Sequence, residues 1–164
     1  VQELATIYAQ ENPEMRASAE FKGGITNGAD WYVVRGGMQD WTNFWFNDLQ
    51  MTVELSHDKW PDYSQIPGFY RDNRDSMMLY MKQIHRGAGF KTSNKNASGT
   101  VTIRQVSPVT KALGSFAFAR GEFYKVLPEG EYEFVVTEKS AATKTLQVRV
   151  EKDSIKPNGN YVSL

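Results

Sequence analysis

The sequence predicts an α/β part followed by a small all-β sandwich. Up to about residue 87, many apolar residues recur every three or four positions, which is the spacing of amphipathic helices. After residue 87 they fall in short, often alternating runs separated by turn residues, which is typical of strands. We therefore predict two modules, residues 1–87 and residues 88–164, joined near residues 86–90.

Two helices are predicted in the first module. Leu4 and Tyr8 lie one turn apart, and the pair Asn12-Pro13 would end a helix that contains them. In residues 69–84 the apolar side chains again repeat at three and four positions, and Gly87 follows as a stop signal. These spacings predict one short helix at the start of the module and one long helix at its end.

Between the two helices the sequence predicts a long loop and a buried strand. Residues 22–43 are rich in glycine and polar groups, which favours a loop, and loops of that length in compact domains are usually functional or disordered. Tryptophan and tyrosine in this stretch argue against disorder. Residues 49–55 are mostly apolar, as expected for a strand that is covered on both faces of a parallel sheet.

In the second module, five or more short strands at close spacing predict a sandwich. The predicted strands are Thr100–Gln105, Gly114–Lys125, Glu131–Thr137, Leu146–Val150 and an edge strand at Asn160–Leu164. The predicted turns between strands are Lys91–Asn96, Leu127–Gly130 and Lys156–Gly159.

Composition excludes several functional classes. Lys and Arg number 19, as do Asp and Glu, so there is no basic excess that would attract nucleic acid. No apolar run approaches the roughly 18 residues of a transmembrane span. Cysteine is absent, which excludes disulfides, thiol catalysis and cysteine-ligated metal. With only two histidines, His57 and His85, a histidine-rich metal site within this chain is disfavoured.

The four tryptophans, which are Trp31, Trp41, Trp45 and Trp60, admit two interpretations. They could form a platform on which sugar rings stack. Clustered aromatic residues more often pack in a core, because they remove large apolar areas from water.

Glu54 is the most informative single residue, because it lies in the middle of the apolar stretch 49–55. An ionised carboxylate inside a buried strand destabilises the fold by roughly several kcal/mol unless it is paired with a cation, hydrogen-bonded or used in catalysis. One interpretation is that Glu54 faces a solvated edge or a neighbouring cation. The other is that it is a general base with a raised pKa.

Three segments resemble the zinc carboxypeptidases, specifically the regulatory branch that contains carboxypeptidases D, E, M and N. The segments are Gly24–Tyr32 (GITNGADWY), Gly37–Asp40 (GMQD) and Thr52–Pro61 (TVELSHDKWP), and Asn73-Arg74 and Gln83–Gly87 (QIHRG) extend the likeness. The resemblance implies that residues 1–87 are the C-terminal half of a mixed-sheet α/β catalytic domain. It implies that residues 88–164 form a transthyretin-like sandwich, with Leu127–Tyr132 (LPEGEY) as the main likeness there.

The resemblance also implies three residue roles. Glu54 matches the family's catalytic glutamate, which takes a proton from the attacking water and delivers it to the leaving amine. Tyr32 matches the mobile tyrosine that closes over bound substrate. Gln39 matches the residue at the floor of the pocket for the C-terminal side chain, where a neutral amide can form hydrogen bonds but supplies no full charge.

Zinc is implied for the whole protein, with ligands upstream of this chain, and none is expected in this chain alone. Glu54 and His57 stand three positions apart and resemble a reversed metal motif, but on a strand they would point to opposite faces. His85 near the end of the long helix is more simply a packing residue or one that complements the helix dipole.

The resemblance predicts a secreted or periplasmic metallocarboxypeptidase that hydrolyses the C-terminal residue of peptides. Its expected partners are peptide C-termini and the N-terminal half of the catalytic domain. The alternative is a non-catalytic peptide-binding or folding-support protein derived from the same fold. The upstream sequence would discriminate between the two.

Overall fold

The computed structural model describes residues 1–46, 49–139, 142–151 and 160–164. The chain forms two compact units, Val1–Met81 and Lys82–Leu164. Within the described residues, no helix has the length and apolar character needed to cross a membrane.

The helices of the first unit are α1 (Gln2–Glu11), α2 (Pro13–Arg16), α3 (Gly28–Trp31), α4 (Met38–Phe46) and α5 (Ile66–Lys82). Single turns of 3₁₀ helix lie at Lys22–Gly24 and Tyr63–Gln65. The predicted first helix is confirmed as α1, which buries Leu4 and Tyr8 and ends before Asn12. The predicted long helix is confirmed as α5, and a 3₁₀ turn at Gln83–His85 follows it before Gly87.

A buried polar network joins α1 to α5. The Asn73 side-chain oxygen accepts hydrogen bonds from the Tyr8 hydroxyl at 2.9 Å and from the Asn12 side-chain amide at 3.0 Å. The Asn73 amide nitrogen donates to the Phe69 carbonyl at 2.8 Å, and Asn12 also caps α2 by accepting from the Met15 N–H. Burial raises the pKa of Tyr8, so its hydroxyl is a stable donor in this network.

The prediction of one long loop over residues 22–43 was wrong in part, because helices α3 and α4 begin within it. The side chain of Asn27 caps α3 by accepting from the Ala29 N–H at 3.3 Å. Helix α4 has Asp40 in its first turn, where a carboxylate suits the helix dipole, and none of its residues is buried.

The predicted strand at residues 49–55 was also wrong. Residues 49–56 run without helical or strand assignment, and no strand pairs with them among the residues that the structure describes. Half of the residues in this segment are apolar, as a buried strand requires. A strand forms, however, only where a neighbouring strand pairs with its backbone through hydrogen bonds. The Tyr80 hydroxyl on α5 holds the start of the segment by donating to the Leu49 carbonyl at 2.7 Å.

The second unit is built from strands in two sheets. The strands are β1 (Gly87–Lys91), β2 (Gly99–Ser107), β3 (Lys111–Phe118), β4 (Glu122–Val126), β5 (Gly130–Glu138), β6 (Lys144–Val150) and β7 (Tyr161–Ser163). One sheet has the order β4-β1-β7, with β1 antiparallel to β4 and parallel to β7. The other has the order β3-β2-β5-β6 and is antiparallel throughout. The predicted strands within β2, β5 and β6 and the predicted edge strand at β7 are confirmed.

Two predictions for the second unit need correction. The stretch Gly114–Lys125 is not one strand, since a tight turn at Arg120-Gly121, with φ of 58° and 67°, separates β3 from β4. That turn sends the chain from one sheet to the other, so a single strand was impossible there. The predicted turn at Leu127–Gly130 lies between β4 and β5, whereas the predicted turn at Lys156–Gly159 lies outside the described residues.

Residues 86–90, where the sequence predicts the junction, include the start of β1, the central strand of the three-stranded sheet. Residues 87–90 are buried, and Gly87 pairs with Val126 at one end of the sheet. A Cβ atom on Gly89 would collide with the Phe123 carbonyl oxygen on β4, so the close approach of these two strands requires glycine.

One hydrophobic core is shared by both sheets. Phe90 of β1 is fully buried and packs edge-on against Phe118 at 5.1 Å between ring centroids, and it stacks on Phe123 at 5.7 Å. Tyr132 and Phe134 of β5 are also fully buried in this core. The Tyr132 hydroxyl donates to the Pro128 carbonyl at 2.8 Å, which satisfies its polar end.

An ionisable cluster lies on the three-stranded sheet. The Tyr161 hydroxyl donates to the Glu122 carboxylate, and the Lys91 ammonium lies 3.4 Å from that carboxylate and 4.4 Å from the Tyr161 ring centre. Desolvation, followed by the bond to Glu122, raises the pKa of Tyr161 to about 12. The same bond lowers the pKa of Glu122.

Replacing Phe90 should test whether β1 is structural core. We expect Phe90→Ala to lower the free energy of unfolding by about 3–5 kcal/mol, because it removes a fully buried ring and leaves a cavity. The exposed Val109→Ala is the control and should change stability by less than about 0.5 kcal/mol. Chemical denaturation followed by circular dichroism measures both, and equal, small effects would contradict the assignment of β1 to the core.

The cluster on the three-stranded sheet should appear in an alkaline titration. The folded pKa of Tyr161 lies above the ordinary value of 10, so the stability that its protonated form contributes is complete below pH 10 and is lost as pH rises through about 12. Tyrosinate absorbance at 295 nm should lose one late-titrating phenol in Tyr161→Phe. In Glu122→Gln that phenol should titrate earlier, because the accepting carboxylate is gone. An unchanged late phase in both variants would refute the assignment.

Candidate functional site

The predicted mobile tyrosine, Tyr32, directly follows α3 and points its ring outward. Its backbone N–H donates to the Gly28 carbonyl at 2.9 Å, which completes the turn of α3. The ring is 56% exposed and packs edge-on against Trp31 at 5.0 Å between centroids, and Trp31 packs against Phe21 at 5.8 Å. The phenol is therefore supported at its base and accessible at its tip.

Gln39 lies in the first turn of α4 and reaches the segment that carries Glu54. Its side-chain nitrogen donates to the Thr52 hydroxyl oxygen at 2.9 Å. This bond joins two parts of the chain that are 13 residues apart in sequence. Thr52 lies two positions before Glu54, so Gln39 and Glu54 belong to one local surface of the first unit.

The segment around Glu54 is extended and alternates in exposure. Thr52 and Glu54 are exposed, whereas Met51 and Val53 are half-buried. In an extended chain, side chains two positions apart point the same way, so Thr52 and Glu54 share the solvent side. The exposure of Glu54 agrees with the interpretation in which its carboxylate faces a solvated edge.

The other side of this segment faces an apolar groove of about 280 Å³. The groove is lined by Met51, Val53, Leu55, Tyr8, Met77 and Tyr80. The apolar half of the segment is thus turned toward α1 and α5, and the polar half is left for solvent or ligand.

The structure brings Gln39 to the Glu54 segment but does not join Tyr32 to either residue. Within the described ranges, no hydrogen bond connects Tyr32 with Gln39 or Glu54. The functional role of each of the three remains a prediction. Thr52 is the residue that sequence reasoning passed over, although it stands in the same motif as Glu54. The signal in the sequence that could have revealed Thr52 was its position two residues before Glu54, in a segment where polar and apolar residues alternate.

The residues present do not fit a zinc ion. Zinc needs three or four nitrogen, oxygen or sulfur ligands within about 2.0–2.3 Å, and the described part of the chain brings no three His, Asp or Glu side chains together. His57 is exposed, and its nearest charged partner is Glu14, with 3.8 Å between the imidazole nitrogen and the carboxylate. His85 lies in the 3₁₀ turn after α5.

The tryptophans do not form a core in the first unit, contrary to the more common expectation. Trp31, Trp41 and Trp45 are between 52% and 66% exposed, and Trp60 is 95% exposed. Helix α4 presents Met38, Phe44 and Phe46 to solvent as well. Exposed apolar patches of this kind are typical of surfaces that contact a partner or another segment of the chain.

Comparison with known proteins places the chain in a family. Residues 1–76 match the zinc carboxypeptidase family. Human carboxypeptidase D is 31% identical over 167 residues, which cover 93% of this chain and 12% of that protein. Carboxypeptidase E of Caenorhabditis elegans is 37% identical over a match that covers 79% of this chain and 29% of that protein. Mouse carboxypeptidase M is 33% identical over a match that covers 83% of this chain and 32% of that protein.

The chain belongs to the zinc carboxypeptidase family. Its similarity to carboxypeptidases D, E and M places it in the regulatory branch of that family. The chain spans 12%, 29% and 32% of the lengths of those three relatives.

The arrangement of His, Asp and Glu side chains predicts the metal content of the isolated chain. We expect the 164-residue chain to retain no stoichiometric zinc after gel filtration, because too few ligands converge among the described residues to hold one. Elemental analysis by mass spectrometry measures the zinc-to-protein ratio. A ratio near one that falls in His57→Ala would contradict this expectation and would make His57 a ligand.

Proposed function

We propose that this chain is part of a metallocarboxypeptidase that hydrolyses the C-terminal residue from peptides. The observation that carries the proposal is the placement of Gln39 beside the exposed segment of Glu54, in a chain of the zinc carboxypeptidase family. In this proposal Gln39, which contacts the substrate side chain, and Glu54, which transfers the proton, lie on the same solvent-accessible surface.

Glu54 is the general base and acid in this proposal. Its carboxylate is exposed on the polar side of the extended segment, where an attacking water can approach it. It accepts a proton from that water and later returns it to the leaving amine. A carboxylate suits both steps, because the group that has gained the proton becomes the acid for the second transfer.

Gln39 and Tyr32 bind substrate in this proposal. The Gln39 carboxamide contacts the C-terminal side chain by hydrogen bonding. The Tyr32 hydroxyl, at the end of an accessible ring, contacts the end of the bound peptide. Neither residue exchanges a proton with the scissile bond, so both contribute binding and orientation.

Zinc belongs to the whole protein in this proposal, and its ligands lie outside this chain. Bound to those ligands, the ion would supply Lewis-acid chemistry. The N-terminal half of the catalytic domain is the expected partner of the first unit. Exposed Trp45 and Phe44 on α4 support this, and so does the extended segment 49–56, with which no described strand pairs. An exposed apolar face and unpaired extended backbone both favour a covering partner.

We assign residues 1–87 to the catalytic domain and residues 88–164 to a transthyretin-like sandwich. The two sheets with one shared core, and the Tyr132 hydroxyl bound to Pro128, support the second assignment. We propose that the whole protein is secreted or periplasmic, as its relationship to the regulatory branch implies. The non-catalytic peptide-binding alternative is then an outcome of the kinetic test that follows.

Glu54→Gln in the full-length protein should abolish turnover and leave substrate binding largely intact. Glutamine keeps the size of the side chain but cannot take the proton from water. Positioned proton transfer is worth about 10² to 10⁴ in rate, and Glu54 is used twice, so the loss should reach the upper end of that range. Steady-state kinetics on a peptide with a free C-terminus give kcat, and inhibitor titration gives binding.

Tyr32→Phe and Glu20→Gln serve as the comparison variants. Tyr32→Phe removes one hydrogen bond between neutral groups, worth on the order of 0.5–1.5 kcal/mol, and should cost far less. Glu20 is an exposed carboxylate in the same unit, and Glu20→Gln should leave the rate unchanged. If Glu54→Gln keeps more than about a tenth of the rate, Glu54 is not the general base. If the unmodified protein binds peptides without cleaving them, the non-catalytic alternative is correct.

A further inference from the structure

Asn27 and Gly28 form an asparagine-glycine pair on an exposed stretch of the first unit. The carbonyl carbon of an asparagine side chain can be attacked by the backbone nitrogen of the next residue, because the bond that forms closes a five-membered ring. A glycine in the second position leaves that nitrogen without a neighbouring side chain and gives the backbone its widest freedom. The pair therefore has the groups that an intramolecular attack requires.

The Asn27 side chain already lies over the start of α3. Its oxygen accepts from the Ala29 N–H at 3.3 Å, and this contact brings the side-chain carbonyl next to the Gly28 backbone between them. The Gly28 N–H belongs to the first turn of the helix, where an amide has no carbonyl partner within the helix. It donates to no acceptor in the part of the chain that the structure describes. The nitrogen that would attack is therefore not engaged in a hydrogen bond there.

Few contacts hold this arrangement in place. Helix α3 has four residues, and none of them is buried. A Cβ atom built on Gly28 would meet no atom within 4 Å, so the space around the pair is open to water. An exposed turn with few apolar contacts opens locally at little cost in free energy. Such opening lets the Asn27 side chain rotate until its carbonyl carbon faces the Gly28 nitrogen.

We propose that the Asn27-Gly28 pair is a site of spontaneous deamidation. The Gly28 nitrogen forms a bond to the Asn27 side-chain carbonyl carbon, the bond from that carbon to the side-chain nitrogen breaks, and this nitrogen leaves as ammonia with the proton of the Gly28 amide. Water then opens the five-membered imide at one of its two carbonyls. Opening at the side-chain carbonyl gives aspartate, and opening at the main-chain carbonyl gives isoaspartate. Water is the only co-reactant.

The two products affect α3 differently. Aspartate retains a side-chain oxygen for the Ala29 N–H and adds a negative charge that the start of a helix favours. Isoaspartate inserts one carbon atom into the main chain and removes from it the Asn27 carbonyl, which accepts from the Asp30 N–H at 2.9 Å. Isoaspartate therefore disrupts the turn that ends at Tyr32, whose own N–H donates to the Gly28 carbonyl.

Peptide mapping of the full-length protein after incubation at mildly alkaline pH tests the proposal. We expect the peptide that contains Asn27 to gain the mass difference between an amino group and a hydroxyl, and electron-transfer fragmentation should find isoaspartate in part of it. The other asparagine-glycine pair of the sequence, Asn158-Gly159, lies outside the described residues, and its peptide is measured separately.

Asn94 is the matched control within the chain. It is exposed, and its side-chain oxygen also accepts from the N–H two residues further on, at 3.0 Å, but a lysine follows it. The Asn94 peptide should keep its original mass over the same period. If Asn27 gains no mass, or gains it no faster than Asn94, the proposal is wrong.

Two variants separate the chemistry from the fold. Asn27→Ser keeps an oxygen that caps α3 but has no amide to attack, so the mass gain should disappear. In Gly28→Ala the added Cβ atom fits, since it meets no atom within 4 Å. The gain should then be at least about threefold slower, because alanine restricts the backbone that must rotate. An undiminished gain in Gly28→Ala would contradict the attack by the backbone nitrogen of this residue.

The consequence for peptide binding rests on the proposed function, in which Tyr32 contacts substrate. Protein with isoaspartate at position 27, separated by ion exchange, should show a KM raised by about two- to tenfold, the effect of one neutral hydrogen bond. Asn27→Asp carries the same charge and keeps the cap, so it should retain the parental KM. An equal KM in the two proteins would refute an effect through Tyr32. If the fresh protein cleaves no peptide, the proposed function fails, while the peptide map still decides whether Asn27 is deamidated.

Discussion

The carboxamide of Asn73 is the interaction on which the first unit depends. It lies inside the unit and bonds to Tyr8, to Asn12 and to its own helix, so it joins α1 to α5 through three hydrogen bonds. A buried amide without these partners would cost more than the bonds contribute, so the network admits one arrangement of the two helices. Helix α5 placed in this way carries Tyr80, and Tyr80 holds the segment on which Thr52 and Glu54 lie.

The sequence could predict the helices of the first unit but not the state of its extended segment. Helices α1 and α5 follow from local spacing, because their hydrogen bonds lie within each helix. A strand is a property of a pair, so the apolar run at residues 49–55 could not reveal that its neighbours lie elsewhere. Helix α4 was missed although Trp41, Phe44 and Trp45 recur at helical spacing, because the glycine and polar residues around them favoured a loop.

In the second unit, the alternation of apolar and polar residues was sufficient to predict β2, β5 and β6. It was insufficient to predict β1. Gly87 and Gly89 have low strand propensity, and only tertiary packing against β4 makes them part of a central strand. The site divides in the same way. Family resemblance could nominate Glu54, Tyr32 and Gln39, but no local pattern predicts a bond between Gln39 and Thr52, because it spans two elements whose contact exists only in the fold.

The alternation of the extended segment explains how a few residues combine support and chemistry. Met51 and Val53 face the groove between α1 and α5, while Thr52 and Glu54 face outward. Because the period is two residues, a shift of one position would turn Glu54 into the groove and expose valine in its place. The hydrogen bond from the Tyr80 hydroxyl to the Leu49 carbonyl anchors the start of this segment, on which Thr52 and Glu54 face the same side. The Gln39 amide then meets Thr52 rather than Glu54, so one short segment keeps the bond to α4 and the exposed carboxylate separate.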